Sequence, residues 1–120
     1  MRLWRPVGPQ ELALIEASGW KTFPPRLPEQ PIFYPVLNFA YAEQIARDWN
    51  STRLDANYEG HVVEFEVSEE VGSRYPAQIA GGAEHKELWV PAEELDVFNA
   101  AIVGEIRVVA SYRNGARIED

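Results

Sequence analysis

Cysteine is absent from the 120-residue chain, which excludes disulfides, thiolate zinc sites and a cysteine nucleophile and leaves the redox compartment open. Histidine is scarce: His61 and His85 are the only two, and no spacing matches a zincin or a calcium loop, so no metal site is expected. Positive charge is in deficit, with 11 Lys+Arg against 19 Asp+Glu and a net charge of −8. A chain so acidic lacks the cationic sheath that nucleic acids and anionic membranes require. No apolar run approaches the ~18 residues of a membrane span, and Met1-Arg2-Leu3-Trp4-Arg5-Pro6 has no signal-peptide core; the expected location is cytoplasmic. Internal repeats and low-complexity tails are missing. The serines stand in no nucleophile-elbow context, and Gly81-Gly82 lacks the rest of a phosphate-binding loop and reads as a turn. Asn50-Ser51-Thr52 fits a glycosylation acceptor but has no secretory signal to go with it.

What is present is apolar and aromatic: 46% hydrophobic residues, with four Trp, five Tyr and five Phe, enough for one core and one domain over residues 1–120. Arg2 to Arg5 reads as a short strand. Gly8-Pro9 opens a helix with Glu11 in its first turn, Leu12, Ala13, Ile15 and Ala17 as its apolar face, and Gly19 as its left-handed stop. Five prolines between Pro24 and Pro35 predict an extended loop, with Ile32-Phe33-Tyr34 as its strand candidate. Asn38 caps a second helix in which Ala42, Ile45, Ala46 and Trp49 share a face. Asn50 to Gly60 is a polar connection. His61 to Val67 alternates as a half-buried antiparallel strand. Ser68 to Ala83 is mixed, with a short helix or turn and a short strand near Gln78. Lys86 to Val90 is a strand, Pro91 to about Asn99 a short acidic helix, and Glu105 to Tyr112 a closing strand. Helices early and strands late predict an α+β domain.

Three positions invite a chemical reading. Glu87 shares a strand face with Trp89 while Leu88 and Val90 take the other; a carboxylate at a groove lip can stabilise an oxocarbenium-like transition state, or it can be a charge guarding an exposed sheet edge. Arg5 ends the first strand and can clamp a phosphate bidentately, or lie on the surface as an ordinary arginine. Phe33 and Tyr34 can stack on a planar ligand or fill the core.

Taken in order, these segments resemble the three-part signature of the ADP-ribosyltransferase superfamily. Leu3-Trp4-Arg5 with Glu11-Leu12, Ile15 and Gly19 resembles the first motif of the poly(ADP-ribose) polymerases and their diphtheria-toxin-like relatives. Pro31-Ile32-Phe33-Tyr34 followed by Ala42 and Ala46 is similar to the second, and Lys86-Glu87-Leu88-Trp89-Val90-Pro91 to the third. The chain also resembles small bacterial proteins of the ADP-ribosylation/crystallin J1 type.

The resemblance implies a compact ADP-ribosyltransferase-like α+β fold, with a mostly antiparallel split sheet and two main helices in the N-terminal half. It implies NAD as donor, with Arg5 on its ribose or phosphate, Phe33 or Tyr34 against the nicotinamide, and Glu87 as the catalytic carboxylate. The Pro24-to-Pro35 stretch would border the groove; His85 and Gln78 can serve as second-line groove residues or, as the ordinary alternative, have a structural role. ADP-ribose would pass to water or to an unknown protein or small-molecule acceptor; the alternative is a non-catalytic nucleotide- or protein-binding regulatory module on the same fold. Arg5 is combined here with an aromatic second motif, where arginine-first members carry Ser-Thr-Ser. His85 stands where arginine-modifying toxins place Gln or Glu. Residues 1–37, the donor side, hold four basic and three acidic side chains, a local excess of +1 compatible with a seat for one small dinucleotide.

Overall fold

The computed structural model describes residues 1–79 and 85–118. Its centre is a long hairpin-like pair, β3 (Glu59–Val67) against β7 (Ile102–Arg113), with β1 (Arg2–Val7) on the far side of β3 and β8 (Ala116–Ile118) closing the other edge. All pairs in this four-stranded sheet, order β1-β3-β7-β8, are antiparallel. Two two-stranded pieces complete the strands: β2 (Ile32–Phe33) with β6 (Val90–Pro91), and β4 (Gln78–Ile79) with β5 (Lys86–Glu87). The α+β expectation holds.

The sheet is buried on both faces because its strands alternate. On β1, Leu3 and Val7 join Val63, Phe65, Val67 and Ile106 in the larger core, where Phe23, Phe33, Leu88, Val90 and Phe98 pack. Four of these rings form a tilted and edge-on cluster, Phe33 lying 4.9 Å from Phe23 and 5.7 Å from Phe98, and Phe65 lying 4.8 Å from Phe23. On the opposite face, Val62, Ala110, Tyr112 and Val36 meet Ala42 and Ala46 of helix α2 (Phe39–Asp48). The β3–β7 register shifts between Val62 and Val63, and the two neighbouring valines are both buried, each in a different core.

Asn38 caps α2 as its sequence implies, its side-chain oxygen accepting from the Tyr41 amide at 2.7 Å. The helix comes so close to β3 that a Cβ on Gly60 would collide with the Ala46 carbonyl oxygen and lie 2.8 Å from Asn50 Cβ. Glycine is required there by space rather than by φ. Helix α1 (Pro9–Ala17) begins at Pro9 and stops before Gly19, whose φ is +78°. Two further helices are short, α3 (Glu69–Gly72) and α4 (Leu95–Ala100).

Four expectations need correction. The apolar face assigned to α1 is only half right: Ile15 is buried and Leu12 packs against the core, whereas Ala13 and Ala17 face solvent. Trp49 is 59% exposed; it caps the end of α2, past the point where Ala42 and Ala46 hold the helix on the sheet, and stacks under the Arg53 guanidinium at 4.9 Å. The single strand expected over Lys86 to Val90 is two, since Glu87 pairs with Gln78 while Val90 pairs with Phe33. The polar connection 50–60 contains two 3-10 turns, Asn50–Thr52 and Leu54–Ala56, and the first two residues of β3. The Gly81-Gly82 turn lies outside the described residues. Among the described residues no helix is long and apolar enough to cross a membrane.

Candidate active site

Residues 35–37 stitch the small β4–β5 piece to the main sheet. Val36 exchanges backbone hydrogen bonds with Trp4 at 3.0 and 2.8 Å, while the Leu37 amide donates to the Lys86 carbonyl at 3.0 Å and the Leu88 amide to the Pro35 carbonyl at 2.9 Å. The main-chain run that follows the proline-rich loop thereby carries Tyr34 to the end of β1 and sets Glu87 across from it. Tyr34, Arg5 and Glu87 line one open cleft of about 340 Å³, together with Pro6, Val36, Ile45 and Trp89. Residues separated by up to 84 positions therefore share one concavity.

Glu87 is not an edge charge, since Gln78 flanks it on one side and Val36 on the other. Its two oxygens are held apart from each other's partners: Trp89 Nε1 donates to Oε1 at 2.8 Å and the Tyr41 hydroxyl to Oε2 at 3.1 Å. Trp89 reaches because it lies two residues on along the same face, and Tyr41 because α2 lies over that side of the sheet. Tyr41 is pushed up to about 12, by burial first and then by the Glu87 carboxylate beside it. It therefore stays a donor throughout the neutral range. His85 stacks on the Tyr41 ring at 4.5 Å with planes 12° apart, one layer behind the carboxylate.

Arg5 falls between Leu3 and Val7 on the core-facing side of β1, which leaves it only 8% exposed. A cation so placed requires a partner, and the first turn of α1 supplies one. Glu11 takes a bidentate pair, Arg5 Nε donating at 2.7 Å and Nη2 at 3.0 Å. Nη1 donates to the Tyr34 carbonyl at 3.4 Å, and the guanidinium carbon sits 4.6 Å from the centre of the Phe33 ring.

The two aromatic candidates separate. Phe33 has no exposure at all and belongs to the phenylalanine cluster. Tyr34, one residue on and on the opposite face of the chain, is 39% exposed and stands edge-on to Trp89 at 6.4 Å. The ring available to a ligand is thus Tyr34, while Phe33 supports Arg5 from below. The proline-rich stretch borders two different depressions. Tyr34 faces the cleft, whereas Pro24 and Pro25 line a larger one on the other side of Glu11. Gln78 pairs with Glu87 through the backbone and does not line the cleft.

Tyr41, Ile45 and Glu11 were not among the residues singled out for the site. Tyr41 and Ile45 are four apart on α2, so a shared face was legible, but which strand that face meets was not. Among the described residues no group of three or more His, Asp or Glu side chains is arranged to hold a metal ion. The chain matches no family model, no curated protein and no solved structure.

Proposed function

We propose that the cleft between Arg5, Tyr34 and Glu87 receives the nicotinamide–ribose end of NAD and that the protein is an ADP-ribosyltransferase-like enzyme. One observation carries this reading: three residues drawn from three separate sequence motifs line one concavity, with a carboxylate in it held by two donors. About 340 Å³ suits a nicotinamide riboside rather than a whole dinucleotide, so the adenylate half would extend outward.

In this reading the nicotinamide stacks against Tyr34 and the Trp89 edge. The glycosidic C–N bond breaks with its electron pair leaving on the nicotinamide nitrogen, and the ribose C1 becomes cationic. Glu87 stabilises that charge electrostatically, and a water or acceptor hydroxyl then bonds to C1 and releases its proton to solvent. Tyr41 and Trp89 act as positioning residues, fixing the carboxylate before substrate arrives. Arg5, with its charge balanced by Glu11, orders the Tyr34 backbone and offers a ribose hydroxyl only its cleft-facing edge.

A regulatory binding module is the second reading, favoured by the fact that both Glu87 oxygens and the Arg5 fork already have partners within the protein. Nicotinamide release from NAD by wild type and Glu87→Gln separates the two. Turnover that Glu87→Gln abolishes supports the enzyme; NAD binding by calorimetry without turnover supports the module. Equal turnover in both proteins refutes the assigned role of Glu87, and neither binding nor turnover refutes both readings.

A further inference from the structure

The larger depression, about 650 Å³, lies beyond Glu11 and shares no lining residue with the Glu87 cleft. Its volume falls within the range of small-molecule sites. Arg26 is in its wall, and its situation is unusual. Arg5 and Arg26 are two guanidiniums near one ring, 4.6 and 6.0 Å from the Phe33 centroid, and the carboxylate of Glu11 is held bidentately by Arg5. Arg26 uses Nε to donate to the Ile32 carbonyl at 3.1 Å. Among the described residues its two terminal nitrogens have no acidic partner. Burial, and next the like charge of Arg5, hold the guanidinium below its ordinary range, with Glu11 pulling the other way. In a chain of net charge −8, a half-buried cavity arginine with no ion pair among the described residues is not an average surface charge.

The other walls fit a planar, partly polar body. Trp49 presents an exposed indole whose one face is covered by Arg53 at 4.9 Å, leaving the other for stacking. Arg53 is itself neutralised by a fork to Asp55 at 2.9 and 2.7 Å, so it competes little for an anion. Leu14 and Leu27 supply exposed apolar rim.

We propose that this cavity is a second ligand site, separate from the Glu87 cleft and independent of the reading given for it, which takes a nucleoside monophosphate with the phosphate on Arg26 and the base stacked on Trp49. A fork of two charge-assisted bonds to phosphate is available to Arg26 without displacing its existing one. Stacking on an indole supplies the remainder.

Calorimetric titration of the full chain with AMP and with inorganic phosphate tests the proposal. AMP is expected to bind, and Arg26→Met to weaken it about tenfold or more, as loss of a charged hydrogen-bonding partner requires. Trp49→Ala should weaken AMP by a comparable factor and leave inorganic phosphate unchanged. No AMP binding at millimolar concentration overturns the site, and so does equal affinity in wild type and Arg26→Met. AMP affinity lost in Glu87→Gln would assign the nucleotide to the other cleft and equally overturn it. Should Arg26→Met lose its circular dichroism spectrum, wild-type side-chain NMR decides: AMP must shift the Arg26 Nε–H and Trp49 Nε1–H resonances, and unmoved signals reject the proposal.

Discussion

Removing the charge of Glu11 strands a cation inside the protein, and the size of that penalty follows from the surroundings of Arg5. Breaking a buried ion pair by deleting one partner costs about 3–5 kcal/mol. Arg5 and Glu11 have side chains 10% and 20% exposed, which places the pair near the lower end. In Glu11→Gln the amide oxygen keeps one of the two hydrogen bonds, and the Tyr34 carbonyl and the Phe33 ring still face the guanidinium. Against that, Arg26 stands over the same ring, so the unmatched charge has a like neighbour, and the first turn of α1 loses an acidic group worth about 0.5 kcal/mol. The balance is a loss of about 3 kcal/mol. For a chain of this size that lowers Tm by roughly 12 °C, at about 4 °C per kcal/mol. Urea unfolding followed by tryptophan fluorescence, with circular dichroism as second probe, should show the midpoint fall with an unchanged slope. Arg5→Met in the Glu11→Gln background should recover part of the loss, because it removes the stranded charge. A Glu11→Gln loss below about 1 kcal/mol would refute the reasoning, since the pair would then behave as an exposed surface pair.

Phe33→Ala empties the centre of the phenylalanine cluster and should cost about 3–5 kcal/mol, whereas Tyr34→Ala, at the cleft wall, should cost under about 1 kcal/mol and act on ligand affinity instead; equal destabilisation in denaturant would contradict their different placements. Tyr41, Tyr75 and Tyr112 are each pushed up to about 12, burial first and then the carboxylates of Glu87, Glu94 and Glu43. Their folded values exceed the unfolded one, so they contribute stability that is whole below about pH 10 and is lost as pH rises from 10 toward 12; ultraviolet titration should find three tyrosines ionising late and together with alkaline unfolding. His61 is depressed, chiefly by burial, although Glu59 at 3.6 Å pulls the other way. A depressed histidine contributes stability above its unfolded value near 6.5 that fades as pH falls below it, so His61→Gln should flatten the loss of stability between about pH 7 and 5, and an unaltered slope would count against the burial argument. Gly60→Ala should destabilise by about 2 kcal/mol or more by driving α2 off β3, visible as a lowered urea midpoint; a neutral effect would mean that helix and strand are not so closely apposed.

Local sequence carried much of the framework. Pro9 and Gly19 bracket α1, Asn38 announces α2, and the alternation through β3 forecasts the burial of Val63, Phe65 and Val67; the strand is not half-buried, however, because α2 covers its other face and buries Val62 too. Asn114-Gly115, with φ of 51° and 81°, is the two-residue turn that folds β8 back on β7, a strong local signal of the same kind. Elsewhere the local pattern was sound and the neighbours decided. Lys86 to Val90 keeps its alternation, with Leu88 and Val90 buried and Trp89 exposed, yet splits because its two ends have different strands beside them. Trp49 has helical spacing with Ala42 and Ala46 but sits past the contact.

The candidate site divides along the same line. Residue order and composition determined that an aromatic pair and Glu87 lie by short strands, that a helix start bearing Glu11 follows Arg5, and that an acidic, cysteine-free α+β chain would carry them; Arg5, expected to end the first strand, lies inside it because β1 runs on to Val7 against His61. Only tertiary structure decided that Tyr34 and not Phe33 is open to a ligand, that Arg5 is matched by Glu11 while Arg26 is not, and that Tyr41 reaches Glu87 across 46 positions. The reason is physical: capping, turn and alternation preferences act over a few residues and are written locally. Burial, charge pairing and access are properties of whatever side chains the fold brings alongside, and those come from anywhere in the chain.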